Sequence, residues 1–392
     1  MDIDSLLSRR VTETIDKSHL TAALKSKKKL RVKLGIDPTG ADLHLGHAVT
    51  LWKLREFQDA GHKAVFIIGD WTAQIGDPSG KDKTRQGLTE KQVAANAKHF
   101  FDQAHLILDK AKTEIHLQSE WFKKFGLKEV VRLASQVSVQ QLMAHETFAE
   151  RIEHDQPFFA HEILYPLLQG YDSVAVKADV ELGAMEQKFN LLMGRRIQKA
   201  FGLPEQDVIL LKYLIGLDGK EKMSKTLSNY ISLRDSATEM FGKVMSIPDE
   251  LIIHYFELCT EVPEQEYLAM ADDLKNKVLN PRMAKVTLGK EIVKIYHGKD
   301  AAQKAADVFE AKFGKNKGEI SADFELKKAA GSYPILDILV EGKLAVSKSE
   351  ARRKIAEGAV EIDDSKIKDF EAKVSLTKGS LIRLGKRFLR II

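Results

Sequence analysis

Short continuous apolar runs alternate along this chain with stretches whose apolar residues recur at helical spacing. Leu30 to Ile36 is a short β-rich run. It ends in Gly35-Ile36-Asp37-Pro38-Thr39-Gly40, whose Asp-Pro and Gly content predicts a turn. From about His44 to Asp59 a helix is expected, with Leu51, Leu54 and Phe57 spaced at three and Gly61 closing it. Ala64 to Ile68 is apolar throughout, as in strands covered on both faces. Strand, helix and strand in quick succession predict a βαβ unit with a parallel sheet. Further on, Glu162 to Gln169 and Gln187 to Phe201 read as helices, and Asp207 to Leu214 as another buried strand. Gly216 to Asn229 is a loop rich in Gly, Lys and Ser. The first 30 residues read as helix, ending in the solvated basic run Lys25 to Lys29.

The pattern changes in the second half. Ser236 to about Lys312 is helical in character, and Phe313 to Asp323 is polar and linker-like. Tyr333 to Ile392 reads as a compact unit of its own. There Ser347-Lys348-Ser349-Glu350 is a capping box opening a helix that Gly358 ends. Val360 to Ile362 and Ile367 to Phe370, around Asp363-Asp364-Ser365, suggest a hairpin. No internal repeat or low-complexity tract interrupts the chain.

Composition narrows the class. At 392 residues, with 44% hydrophobic and 30% charged residues, the chain is an ordinary globular protein of two or three domains. It has no apolar run of about 18 residues for a membrane span. Its start, Met-Asp-Ile-Asp, lacks the pattern of a signal peptide. A single cysteine, Cys259, excludes an internal disulfide framework and a multi-Cys zinc site. It reads as a buried, inert thiol, and the chain as one of a reducing, cytoplasmic compartment. Net charge is +5, and residues 331–392 hold 13 Lys/Arg against 9 Asp/Glu. A mildly basic tail on a near-neutral body hints at a polyanionic partner.

Three segments make sense around a triphosphate. His44-Leu45-Gly46-His47 lies where a strand-turn meets a helix start, and backbone N–H groups there favour anions. A small Gly46 lets a flat ring approach while two imidazoles supply hydrogen bonds. Two His merely capping the helix start is one alternative; zinc binding by the pair is another, but no H-E-x-x-H or Cys cluster accompanies it. Lys222-Met223-Ser224-Lys225-Thr226 lies in the flexible loop, where two lysines can close over phosphates. A merely solvated loop is the bland reading. The third segment, Gly76-Asp77-Pro78-Ser79-Gly80-Lys81, followed by Arg85, is not a P-loop. Ile75 stands where that motif needs Gly, and Asp82 where it needs Ser or Thr.

A fourth feature is a stripe. Tyr165, Gln169 and Asp172, at i, i+4 and i+7, share one helix face. They could enclose a small ligand bearing both a hydroxyl and an ammonium group. A solvated face is the alternative, which the surrounding Ile163, Leu164, Leu167 and Leu168 argue against.

Together, the first two segments resemble the two signatures of class I aminoacyl-tRNA synthetases, His-Ile-Gly-His and Lys-Met-Ser-Lys-Ser, with Leu for Ile and Thr for the last Ser. Tyr165-Pro-Leu-Leu-Gln169-Gly-Tyr-Asp172 sharpens the resemblance to the tyrosyl-tRNA synthetases. It implies a doubly wound, Rossmann-like parallel-sheet catalytic domain over 1–230, with a helical dimerisation segment at about 120–160. An α-helical anticodon-side domain would span 231–323. A small α+β RNA-binding domain would span 331–392, gripping tRNA(Tyr) through Lys348, Arg352 and Arg353.

The same likeness implies roles. Asp172 would accept the phenolic O–H, and Tyr165, Gln169 and Asp77 would hold the α-ammonium. Thr72 would line the pocket and Gln187 would face tyrosine or the α-phosphate. Thr39, His44, Lys81, Arg85, Lys222 and Lys225 would steady the phosphates, with His47 and Gly46 at the ribose and adenine. Asp37, Glu186 and Met223 would add ATP contacts. ATP would be a substrate, magnesium would arrive with it, and the working form would be a homodimer. By the same likeness a carboxylate awaiting the phenol would reject phenylalanine, which members of this family do by about 10⁵.

Two departures stand out. The family often has Tyr where this chain has Lys33, so the phenol would lean on Asp172 alone or on a water. Gly183-Ala184-Met185-Glu186-Gln187 replaces the usual Gly-Gly-Thr-Asp-Gln, giving the ribose contact at Glu186 an extra methylene. A tryptophanyl-tRNA synthetase and a non-catalytic RNA-binding protein on the same scaffold are the rival readings.

Overall fold

The computed structural model describes residues 2–78, 88–143, 146–157, 159–313, 322–363, 365–385 and 387–392. The chain divides into two compact units, 1–306 and 307–392.

The first unit is built on a six-stranded sheet of β1 (Val11–Ile15), β2 (Arg31–Ile36), β3 (Lys63–Ile68), β4 (Thr113–Leu117), β5 (Val180–Ala184) and β6 (Asp207–Leu211). The spatial order is β1-β6-β5-β2-β3-β4. β2 to β6 run parallel, and β1 closes one edge antiparallel to β6. The expected βαβ unit is β2, the helix Leu45–Asp59 and β3. Residues 64–68 and 208–211 are fully buried, as their unbroken apolar runs require. Strand order reverses between β2 and β5, so the carboxyl ends of these two strands open a crevice.

The amino terminus differs from the helix expected there. Helices Ile3–Leu6 and Lys17–Lys25 flank β1. Val11-Thr-Glu-Thr-Ile15 is rich in β-branched residues, and Arg10 and Asp16, at φ 64 and 58, turn the chain at either end of the strand. The buried Arg10 guanidinium donates to the carbonyls of Leu258 (3.0 Å) and Thr260 (2.7 Å) and pairs with Glu56. A long-range ion pair therefore sets this segment, which local helix propensity could not reveal.

The helix carrying the polar stripe is longer than its apolar pattern suggested, running Ala160–Ala175 with Pro166 inside it. It lies against the helix Lys188–Ala200. Five helices from Ala237–Met245 to Lys299–Phe313 follow the sheet, as the pattern from Ser236 predicted.

In the second unit β7 (Phe324–Leu326), β9 (Val360–Ile362), β10 (Ser365–Lys366), β12 (Leu381–Leu384) and β13 (Arg387–Ile391) form one sheet. Its order is β10-β9-β12-β13-β7, while β8 (Gly331–Pro334) pairs with β11 (Lys373–Leu376). Helices Ile335–Glu341 and Lys348–Ala356 close over a core that includes Ile338, Leu339, Ile355, Val360 and Leu389. Ser347 caps the second helix by accepting from Glu350 N–H. The hairpin partner of 360–362 begins at 365–366 and reaches Ile367, whose N–H donates to Val360 O at 3.0 Å, rather than spanning 367–370. Asp363, at φ 45, makes the turn tight, and its exchange of hydrogen bonds with Leu381 ties it to β12. Ile367 then packs on the core while Phe370 is exposed. The linker expected at 313–323 falls mostly outside the described residues.

Candidate active site

The crevice at the switch of strand order gathers most of the residues singled out above. β2 delivers Asp37, Thr39 and Gly40, β3 delivers Thr72 and Asp77, and β5 delivers Glu186 and Gln187. Sequence-distant side chains meet here because parallel strands release all their carboxyl ends on one side.

At one end, His44 is the N-cap of the Leu45–Asp59 helix. Its N–H donates to Nδ1 of His47 at 3.2 Å, so a neutral His47 carries its proton on Nε2. The two rings lie 3.8 Å apart, and Nδ1 of His44 is buried without a protein partner. Burial first, then the nearby Lys225 and Lys222, holds His44 down to about 3. His47 is lowered by burial, His44 and the same lysines. Both imidazoles are therefore neutral at physiological pH, beside two cations.

The lysine loop lies over this helix start. Leu45 N–H donates to Ile231 O and Leu233 N–H to Leu43 O, both at 3.0 Å, tying the two segments edge to edge. Met223 is buried, and a Cβ on Gly46 would come 3.0 Å from the His44 ring and 3.6 Å from Met223 Cβ. Only glycine fits this approach comfortably. Lys225 Nζ lies 6.0 Å from the Phe100 ring centroid and so close to Gly40 that a Cβ there would sit 2.9 Å away. Its pKa is lowered, mainly by burial. Lys222, on the exposed side, pairs with Glu186. The extra methylene of Glu186 thus reaches a loop lysine in this structure.

At the other end, the stripe faces inward. Tyr165 and Asp172 are buried, and Gln169 Oε1 is buried without a hydrogen-bond partner. Tyr165 donates to Asp37 Oδ2 at 2.9 Å, and Thr72 Oγ1 lies 2.7 Å from Asp37 Oδ1. Gln187 donates to Asp77 at 2.6 Å and accepts from Asn190 at 3.0 Å. Asp172 accepts from Gln118 Nε2 at 2.7 Å and from Trp121 Nε1 at 3.1 Å. Burial pushes its carboxyl up to about 7, against the pull of Lys33 and these two donors. Burial also raises the Tyr165 phenol well above its ordinary value, aided by Asp37 and Asp77.

Gln118 and Trp121 escaped the sequence reading. They follow β4 at the same edge of the sheet, and that position was the available signal once the parallel order was known. Lys81 and Arg85 lie outside the described residues. In the second unit Lys348 pairs with Asp337 at 2.6 Å and Arg353 with Glu357 at 3.8 Å, while Arg352 lies 5.8 Å from the Phe370 ring centroid. The crevice thus joins a cation-flanked helix start to a buried acidic and amide pocket, suited to a polyphosphate beside a small ligand with hydroxyl and ammonium groups.

Known proteins match along nearly the whole chain. The family described as tRNA synthetases class I (W and Y) matches residues 25–314, and a tyrosine–tRNA ligase SYY-like C-terminal domain matches residues 321–388. The chain is 46% identical over 389 residues to a tyrosine–tRNA ligase of Dehalococcoides mccartyi, covering 98% of this chain and 97% of that protein. It is 46% identical over 387 residues to the tyrosine–tRNA ligase of Thermotoga maritima, covering 98% and 96%. In fold it is similar to a C-terminally truncated mitochondrial tyrosyl-tRNA synthetase of Coccidioides posadasii, with TM-score 0.65 and 23% identity, over 77% of this chain and 90% of that one. With its motifs, sheet topology and near-complete coverage in agreement, this chain belongs to the class I tRNA synthetases of the tryptophan and tyrosine group.

Proposed function

We propose that this chain is a tyrosine–tRNA ligase, which activates tyrosine with ATP and transfers it to the 3′ end of tRNA(Tyr). The observation that carries the reading is the Asp172 carboxylate. It is buried, framed by Gln118 and Trp121, and shares a crevice with the His44–His47 and Lys222–Lys225 segments. A tyrosine phenol entering that pocket finds an acceptor; its ammonium finds the Gln169 amide oxygen together with Tyr165 and Asp77. The indole of tryptophan has no hydroxyl to offer Asp172.

In the first step a carboxylate oxygen of tyrosine attacks the α-phosphorus of ATP. The bond from that phosphorus to the bridging oxygen breaks, and pyrophosphate leaves with the electron pair. No protein nucleophile is required, so catalysis rests on alignment and on stabilising charge as it gathers on the leaving group. Neutral His44 and His47 donate hydrogen bonds at the helix start, with His47 and Gly46 toward the ribose and adenine. Lys222 and Lys225 supply positive charge, and Thr39, Lys81 and Arg85 complete the phosphate contacts. Asp37, Glu186, Met223 and Gln187 border the nucleotide. Release of Lys222 from Glu186 would free both for substrate. Magnesium enters bound to ATP as part of that substrate; among the described residues no cluster of three or more His, Cys, Asp or Glu is placed to hold a metal. In the second step a ribose hydroxyl at the tRNA 3′ end attacks the tyrosyl carbonyl, its proton is lost, and AMP leaves.

The wider organisation belongs to the same proposal. Residues 1–230 carry the catalysis, 231–323 the anticodon-side contacts, and 331–392 hold tRNA through Lys348, Arg352 and Arg353. Leu127, Val131, Val139 and Ile152, exposed by 80, 59, 65 and 54%, support the 120–160 segment as the face of a homodimer. Substituting Leu127→Asp with Val131→Asp should halve the solution mass measured by light scattering. An unchanged mass would send the interface elsewhere. The cytoplasm, where tRNA is charged, is the proposed location; no described helix is long and apolar enough to cross a membrane.

The deciding experiment is ATP–pyrophosphate exchange with each of the twenty amino acids offered separately. Exchange with tyrosine alone is expected. Exchange with tryptophan, or with no amino acid at all, would overturn the assignment.

A further inference from the structure

Lys33 has no part in the chemistry above, yet it is among the most completely enclosed side chains of the first unit. It stands on β2 with no exposed surface, and its Nζ lies 2.8 Å from Glu181 Oε1 on β5. It also donates to Ser173 Oγ at 2.8 Å and to the Gln169 carbonyl at 3.2 Å. An ammonium has three hydrogens, and these three acceptors use all of them. Lys33 therefore has no hydrogen left for a substrate and can act on one only through its charge.

Two of those acceptors belong to residues 169 and 173, which flank Asp172 on its helix. The Glu181 carboxylate is held in turn by Ser173 Oγ at 3.1 Å and by Gln206 Nε2. Of the two buried carboxylates, Glu181 is ion-paired to the Lys33 ammonium at 2.8 Å, while Asp172 feels it only through its charge. In a low-dielectric interior such an arrangement decides which group keeps its charge. The remaining contacts of Asp172 require it to be an acceptor. Gln118 Oε1 accepts the backbone N–H of Trp71 (3.2 Å) and Thr72 (2.9 Å), which fixes its amide so that Nε2 points to Asp172. Trp121 Nε1 can only donate. The frame accordingly suits a carboxylate, while burial favours the neutral acid.

We propose that Lys33, anchored by Glu181, is a specificity-determining positioning residue whose buried charge keeps Asp172 an ionised acceptor for the substrate phenol. This rests on the tyrosine pocket proposed above. Other charged or titratable groups around Asp172 are Tyr165 on its own helix and, around that phenol, Asp37 and Asp77. Beyond Trp121 stands the His116 ring, 5.9 Å from its centroid and itself paired to Glu114 and Glu120. These groups are the same in both variants of the test.

The test exploits the opposite signs of the two partners. Lys33→Met removes the favourable charge, so the pH midpoint of kcat/KM for tyrosine in the exchange reaction should move to higher pH. Glu181→Gln removes the competing carboxylate while leaving an amide oxygen for Lys33, so its midpoint should move lower. A midpoint displaced by one on the pH scale reads as about a tenfold change in kcat/KM below it. The change should sit in KM for tyrosine rather than in kcat, and the preference for tyrosine over phenylalanine should fall at neutral pH in Lys33→Met alone. A purely structural ion pair predicts something different: either substitution breaks the same pair, so both act in the same direction at every pH. Such parallel behaviour, with normal exchange by the unaltered chain, would overturn the role of Lys33 and leave the pocket intact. Absence of tyrosine exchange in the unaltered chain would overturn both. If Lys33→Met does not fold, the acid displacement in Glu181→Gln still decides, since its absence sinks the proposal.

Discussion

A phenylalanine side chain entering the crevice would bring no hydrogen for the Asp172 oxygens, each of which has one protein donor. Leaving a buried acceptor short of a partner costs about 1–3 kcal/mol, more when it is charged. Asp172→Asn should therefore lower kcat/KM for tyrosine and shrink the tyrosine-to-phenylalanine ratio, as measured by exchange with each amino acid. The same residue predicts a pH effect on stability. Folding raises this carboxyl from 3.8 to about 7, mainly by burial. Between those values the folded state keeps a proton that the unfolded state has lost. Its contribution to stability is fully present at low pH and is lost as pH rises through about 7. Asp172→Asn should thus gain in melting temperature relative to the parent as pH rises from 5 to 8. A difference that stays flat over that range would place the perturbation elsewhere.

Two elements meet at the His44–His47 end of the crevice, and each depends on contacts distant in sequence. The 222–226 loop is fixed over the helix start by the pairing of 231–233 with 43–45 and by Met223 against Gly46. Lys225 lies against Gly40, and the proposed mechanism gives it the charge that develops on the leaving phosphates. Lys225→Ala should then reduce the single-turnover rate of adenylate formation on the order of 10²-fold while leaving tyrosine affinity nearly intact. Equal losses in rate and affinity would argue for a binding role only. The other end of the Leu45–Asp59 helix is anchored by Glu56, which pairs with Arg10 and, at 2.5 Å, with Lys53. Burial brings Lys53 down to about 8. Glu56→Ala strands two buried cations, so chemical unfolding should report a loss of about 3–5 kcal/mol. A loss below about 1 kcal/mol would mean that water reaches them.

At the scale of the whole molecule, the chain forms two units with separate cores. The second unit has its own apolar interior, and Arg352 and Arg353 lie on a helix that Ser347 caps. Reversing charge at Arg352 and Arg353 together should leave tyrosine-dependent exchange unchanged and weaken tRNA binding. The salt dependence of that binding should flatten by about one unit of log–log slope per arginine. An unaltered slope measured by filter binding would remove these residues from the RNA contact.

The sequence by itself determined the βαβ unit, the helical stretch after Ser236, and the two short motifs at 44–47 and 222–226. These features are local: apolar period, turn residues and short motifs are written in neighbouring positions. It also put Tyr165, Gln169 and Asp172 on one helix face, since helical spacing alone aligns them. Tertiary structure decided the rest. β1 at the amino terminus depends on pairing with β6 and on the contacts of Arg10 with residues 56, 258 and 260. The tight turn at Asp363 starts the hairpin pairing at 365, so that of 367–370 only Ile367 bonds to β9. Gln118 and Trp121 became pocket residues only because β4 ends at the same edge as β2 and β5. Lys33, legible in sequence merely as a departure, gained its place when β5 brought Glu181 beside it. A buried ion pair formed across parallel strands has no period or motif, so only the closed sheet could disclose it.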